Sequence, residues 1–227
     1  MKKLVVLLTL IYSVAGVAQN KRVLFVVTNH TQLGNTGETT GYFLSEVTHP
    51  LEVLIKELQK SPLRFDASKY TTQQVTQGSQ TLTVRAYEGI VYVANPVEEQ
   101  YQQLNLYIPE AYFNGGTING FNAQTAPIFL PNGIGGYMPA KPLSLTGGKF
   151  KHTNNSLIMA LSRGFVVASP GARGRTSATG KAPAVIVDLK AAVRYLKYND
   201  KEMPGDANKI ISNGTSAGGA SSALLGA

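Results

Sequence analysis

Gly214-Thr215-Ser216-Ala217-Gly218 stands between an apolar run, Lys209-Ile210-Ile211-Ser212, and a stretch of small residues from Ala217 to Leu225 that starts a helix. A serine presented on so sharp a strand-to-helix turn is held in a strained backbone conformation. The residues two before and two after it must approach each other closely, and both are glycine. The turn leaves Ser216 at a helix N-terminus, where free N–H groups and the helix dipole favour developing negative charge. Ser216 is therefore a candidate nucleophile. The other reading of these five residues is a glycine-rich turn with a capping serine; the strand before and the helix after favour the nucleophile.

The chain leading to this turn has three textures. Residues 21–59 read as strand, loop and helix: Val23-Leu24-Phe25-Val26-Val27 is continuously apolar, Asn29 to Gly41 is loop, and Pro50 opens a helix to about Gln59. Between 61 and 125, Leu82, Val84 and Ala86 alternate with Thr83, Arg85 and Tyr87, and Leu104, Leu106 and Ile108 alternate with Asn105 and Tyr107. Period-two alternation predicts half-buried strands at an antiparallel or mixed sheet edge. From Ala126 onward, short apolar strands at 128–130, 165–168 and 209–212 alternate with helices at 153–163 and 183–198. Strands alternating with helices predict an α/β fold with a parallel sheet.

Composition narrows the function classes. Among 227 residues there is no cysteine, which excludes disulfides, thiolate metal sites and a cysteine nucleophile. The formal charge of +8 invites a nucleic-acid reading. The basic residues are dispersed, however, and the tightest pair, Arg173 and Arg175, sits in a glycine-rich loop without neighbouring aromatics. No nucleic-acid motif is present. Met1-Lys2-Lys3, the apolar run Leu4 to Val17, and the small residues Gly16 and Ala18 have the layout of a secretory signal peptide over residues 1–18. Its removal takes the charge to +6 and predicts a secreted or periplasmic protein with no membrane attachment after cleavage. No cofactor or metal is expected.

Acyl transfer at Ser216 would need N–H donors for an oxyanion. One is the backbone of the following residue, Ala217; the other comes from a loop after an earlier strand. Pro131-Asn132-Gly133-Ile134-Gly135-Gly136-Tyr137 follows the strand at 128–130 and is rich in glycine, which turns N–H groups inward at little steric cost.

Several longer stretches carry a resemblance: RFDASKY, TAPIFLPNGIGGYMPA, RGFVVASPGARGRT, APAVIVDLKAAVRYLKYN and MPGDANKIISNGTSAGGASSALLGA. Through them residues 62–227 resemble the N-terminal part of bacterial tannases of the α/β-hydrolase fold. The resemblance implies a mixed sheet with flanking helices and hydrolysis of phenolic, galloyl-type esters by a Ser-His-Asp triad. Ser216 takes the nucleophile's place, and Gly136 and Ala217 supply the oxyanion N–H groups. A feruloyl-type or general carboxylesterase is the alternative in the same class. Residues 21–58, with RVLFVVTNH and GNTGETTGYFLSEVTHPLEVL, resemble the first strand and helix of the DJ-1/PfpI superfamily. There Glu46, with His49 and Pro50 following, takes the place of the glutamate that sits beside a reactive cysteine, which this chain lacks. A glyoxalase or chaperone remnant, or a non-catalytic secreted fragment, is the alternative from another class.

In α/β-hydrolases the triad runs Ser, then Asp or Glu, then His. Here His30, His49 and His152 all precede Ser216, as do Asp188 and Asp206, and 11 residues follow it. These histidines read as surface or packing residues, and Asp188 and Asp206 as helix-surface and turn residues. The expectation is an incomplete α/β-hydrolase fold cut just after the nucleophile turn, inactive or nearly so as it stands, with a small phenolic ester as its partner and no nucleic acid.

Overall fold

A computed structural model describes residues 7–10, 23–26, 63–146 and 151–226, the side chains of 7–10, 23–26 and 151–155 aside. Two compact units divide at Arg64 and Phe65. In the first, β1 (Leu7–Leu10) pairs antiparallel with β2 (Val23–Val26). The remainder of the expected leader and of the DJ-1-like segment, including Glu46, His30 and His49, lies outside the described residues. Among those described, no helix is long and apolar enough to cross a membrane.

The second unit is built on six strands: β3 (Thr71–Gln77), β4 (Gln80–Val91), β5 (Gln103–Pro109), β6 (Pro127–Pro131), β7 (Val166–Pro170) and β8 (Asp206–Asn213). Their order is β3-β4-β5-β7-β6-β8. Pairing is antiparallel from β3 to β7 and parallel between β7, β6 and β8. This is a mixed sheet with flanking helices, an α/β-hydrolase-like partial fold. Strand β3 has no apolar alternation; it forms because Gly78, at φ +61°, lets residues 78–79 close a two-residue hairpin with β4.

The registers align Ala86, Tyr107, Val167, Phe129 and Ile211 in one row across β4, β5, β7, β6 and β8. Helix α1 (Lys151–Ser162) lays Leu157, Ala160 and Leu161 on this face, in one cluster with Val84, Ala86, Tyr107 and Val167. The row ends at Ile211, which is 46% exposed on the edge strand β8. Tyr87, Leu106 and Ala168 align on the other face. There the ring of Phe65 packs on Tyr87, and the Phe65 N–H donates to Asn199 Oδ1 at the C-cap of α2 (Ala184–Tyr198). A further helix, α3 (Ala217–Gly226), comes after β8, and α2 and α3 pack together through Val185, Leu189 and Ala217.

Three sequence expectations need correction. Strand β5 is not half-buried: Leu104 through Pro109 are all buried, because the strand is interior and both its faces are covered. Pro183 caps α2 rather than opening it. Asp188 is no helix-surface residue; its side chain is 1% exposed. Arg173, in the loop after β7, donates from Nε and its backbone N–H to Asp188 Oδ2, both at 2.9 Å, and from Nη2 to Oδ1 at 2.8 Å. Gln102 Nε2 donates to the same Oδ1. The pair fastens the β7 loop to α2. Asp206 does lie at the entry to β8, where Lys209 pairs with it at 2.9 Å.

Asp188→Ala leaves the Arg173 guanidinium, 12% exposed, without its carboxylate. The expected loss is about 3–5 kcal/mol of stability in urea denaturation. A second ion pair makes a prediction about pH. Arg85 donates from Nε and Nη2 to the two Glu110 oxygens, each at 2.7 Å, while its guanidinium lies between the rings of Tyr70 and Phe113. The Arg85 hydrogen bonds hold the Glu110 carboxyl below its ordinary value of 4.5. A depressed carboxylate stabilises the fold above its unfolded value and loses that contribution as pH falls through the folded one. Glu110→Gln is therefore expected to flatten the decline of Tm below about pH 4.5, with little change in the shape of the curve above it.

Candidate active site

Because β6, β7 and β8 run parallel, the loops that leave their C-terminal ends emerge at one edge of the sheet. Pro131, last in β6, lies opposite Asn213, last in β8. The glycine-rich loop 132–137 and the turn 214–218 therefore start side by side. Ligands of open α/β sheets bind at this edge.

The turn has the crowding that its glycines allow. A Cβ on Gly214 would stand 2.4 Å from the Gly218 carbonyl carbon and oxygen, and one on Gly218 would stand 2.6 Å from Asn132 Oδ1 and 2.9 Å from the Ile134 carbonyl oxygen. Ser216 adopts φ +55°, a left-handed conformation that a non-glycine residue enters at a cost of about 1–2 kcal/mol. Its side chain is exposed. Packing on the C-terminal side of the turn maintains the strain: α3 starts at Ala217, which is buried against Ile134, Ala172, Val185 and Leu189.

The loop after β6 is anchored at two points. Asn132 donates its backbone N–H to the Asn213 carbonyl at 2.9 Å, and Ile134, 2% exposed, joins the cluster around Ala217. Gly136 and Tyr137 come next, with φ of +56° and +57°. The loop after β7 holds them from behind: Arg175 N–H donates to the Tyr137 carbonyl at 2.7 Å, and Ala140 and Ala172 form an antiparallel bridge. Gly174 is required there, since a Cβ would lie 2.2 Å from the Met138–Pro139 peptide.

Ser216, Gly136 and Ala217 thus belong to neighbouring loops at one edge of the sheet. Among the described residues, neither the Gly136 nor the Ala217 N–H has a hydrogen-bond partner, and neither does Ser216 Oγ. Two backbone donors without partners and an exposed hydroxyl on neighbouring loops are the groups that receiving a developing oxyanion would need. The candidate acids and bases are elsewhere. Asp188 is committed to Arg173 and Gln102, Asp206 lies at the opposite end of β8, and His152 falls in the first turn of α1, where only the backbone is described. No group of three or more metal-ligating side chains occurs among the described residues. A cavity of about 550 Å³ lined by Phe113, Gln124, Met203, Pro204 and Asp206 lies at the other edge of the sheet, away from Ser216.

One residue of this edge escaped the sequence reading. Asn132 belongs to the glycine-rich loop, yet the residue is only 7% exposed and its side chain is bonded to the turn itself. An Asn between Pro and Gly carries only a turn signal, so nothing in the sequence separates it from a surface loop residue.

A family model described as BD-FAE matches residues 145–227. No curated protein matches the chain. Among solved structures, a Fusobacterium nucleatum tannase is 56% identical, with a TM-score of 0.69, over 73% of this chain and 36% of its own. A tannase from Lactobacillus plantarum is 44% identical, with a TM-score of 0.68, over 71% of this chain and 36% of its own. A tannin acyl hydrolase in complex with ethyl gallate is 44% identical, with a TM-score of 0.69, over 73% of this chain and 38% of its own. The chain spans little more than a third of the length of these relatives, 36% to 38%. Over that stretch it is similar to tannases in both sequence and fold.

Proposed function

We propose that Ser216 is the nucleophile of a serine ester hydrolase acting on phenolic, galloyl-type esters. The observation that carries this reading is the Ser216 backbone: φ +55° at an exposed strand-to-helix turn, with a free N–H group on the turn itself and another on the neighbouring loop. Strain of this kind at an exposed polar residue contributes nothing to packing and is characteristic of functional sites. The substrate class is supported by the similarity to tannases, including one in complex with ethyl gallate and one in complex with 3,4-dihydroxybenzoate.

In this reading Ser216 Oγ attacks the ester carbonyl carbon. The carbonyl oxygen takes the electron pair and is held by the N–H groups of Gly136 and Ala217. Collapse expels the alcohol and leaves the acyl group on Ser216, and water then releases the acid. The Oγ proton needs a base, and no described side chain forms a hydrogen bond with Oγ. A serine without its base is a weak nucleophile, with losses of several powers of ten in related triads. The 227 residues by themselves are accordingly proposed to turn esters over slowly or not at all. The leader-like residues 1–18 support a secreted or periplasmic site of action.

Labelling with a fluorophosphonate probe tests the nucleophile. In the chain expressed with any coding sequence downstream of Ala227, modification is expected at Ser216 and nowhere else, and is abolished by Ser216→Ala. Absence of labelling there removes the esterase reading. The strain makes an independent prediction: Ser216→Gly is expected to abolish ester hydrolysis while leaving stability unchanged or raising it by up to about 1 kcal/mol, measured by urea denaturation.

A further inference from the structure

The two oxyanion donors of the proposed site sit on different loops. Gly136 belongs to the loop after β6, and Ala217 to the turn after β8, about eighty residues later. Stabilisation of an oxyanion depends on both N–H groups converging on one point, and displacement of one donor costs about 10²–10³-fold in kcat. Some contact must therefore hold the two loops in fixed relation.

The side chain of Asn132 makes that contact. Its Nδ2 faces three acceptors, all on the β8 turn or the helix behind it: the Asn213 carbonyl at 3.0 Å, the Gly218 carbonyl at 3.3 Å and Ser222 Oγ at 3.0 Å. Its Oδ1 accepts from the N–H of Ile134 on its own loop, at 3.4 Å. The amide orientation is fixed by these partners, since the flipped form would set Oδ1 against two carbonyl oxygens. Ser222 is held in turn by Ser212 Oγ at 2.9 Å. The turn closes tightly on this amide: Cβ atoms on Gly214 and Gly218 would stand 2.8 Å from Nδ2 and 2.6 Å from Oδ1.

We propose that Asn132 is the positioning residue that sets the Gly136 and Ala217 N–H groups against each other, an inference that rests on the esterase reading of Ser216. Asn132 does not touch substrate. Its polar atoms are occupied by the two loops, and its burial keeps water from competing for them. Its effect is on the transition state, where the oxyanion forms, and not on ground-state binding.

The test is the steady-state hydrolysis of a p-nitrophenyl ester by the wild type, Asn132→Asp, Ser222→Ala and Ser216→Ala, each expressed with any coding sequence downstream of Ala227. Asn132→Asp keeps the shape and the acceptor toward Ile134 but replaces the donor with a second carboxylate oxygen. It is expected to lower kcat by about tenfold or more, with KM within about twofold. The deficit narrows as pH falls, because the protonated acid regains one donor, and it persists when rates are referred to the folded fraction measured by urea denaturation, which a merely structural role would not leave. Ser222→Ala removes one acceptor and is expected to lower kcat by about two- to threefold, again without a change in KM. Should Asn132→Asp fail to fold, Ser222→Ala decides. Ser216-dependent turnover with kcat unchanged in these variants, or a deficit that does not vary with pH, overturns this inference alone. Wild-type turnover no greater than that of Ser216→Ala overturns the esterase reading, and this inference with it.

Discussion

The parallel pairing of β6 with β8 is the constraint on which the rest of this edge depends. It places Pro131 opposite Asn213, so that the two strands end together. A slip of one residue would reverse the faces of β8 and carry the serine turn away from the loop after β6. The register is fixed on the neighbouring side as well, where Ile128 and Phe129 of β6 lie opposite Val166 and Val167 of β7. Gly205 helps to seat β8, since a Cβ there would meet the side chains of Ile128 and Val166 at 3.3 Å. The apolar interior of the sheet therefore sets where the loops after β6, β7 and β8 begin.

Those loops are held by different means. The loop after β6 uses one buried apolar anchor, Ile134, and one buried amide, Asn132. The loop after β7 uses the ion pair of Arg173 with Asp188, extended through Thr179 to Glu98: Arg173 Nη1 donates to Thr179 Oγ1 at 3.2 Å, and Thr179 Oγ1 donates to Glu98 Oε1 at 2.5 Å. Tyr92 closes the same corner by donating its hydroxyl to the Gly171 carbonyl at 2.9 Å, and burial pushes its ionisation well up. Buried polar groups of this kind stabilise a single arrangement only when every partner is present. The serine turn combines both means: its glycines let the backbone pack closely, and the Asn132 amide bonds to the Asn213 and Gly218 carbonyls on either side of Ser216.

Legibility in the sequence divides along the same line. The strands β6, β7 and β8, the helices α1 and α2, and the turn around Ser216 are readable because each is specified locally, by apolar runs, by helical spacing or by glycines at fixed positions. Strand β3 is not, since Thr71 to Gln77 is polar and its pairing is set by a hairpin glycine and by the strand it meets. Asp188 reads wrongly as a surface residue because its helical position says nothing of Arg173, which reaches it from a loop fifteen residues earlier. Asn132 is invisible for the same reason, with partners 81 to 90 residues away. Long-range polar contacts leave no period in a sequence.

The exposed end of the cross-sheet row has a consequence for the turn that follows it. Among the described residues strand β8 is the last in the six-stranded order, paired only with β6, and Ile211 there is 46% exposed. Its outer N–H and C=O groups form a template for another strand, with Lys209 as the charged residue beside it. The same strand whose inner side fixes the serine turn thus has an outer side without a partner among the described residues, and any strand that paired there would bear on the backbone that holds Ser216 in place.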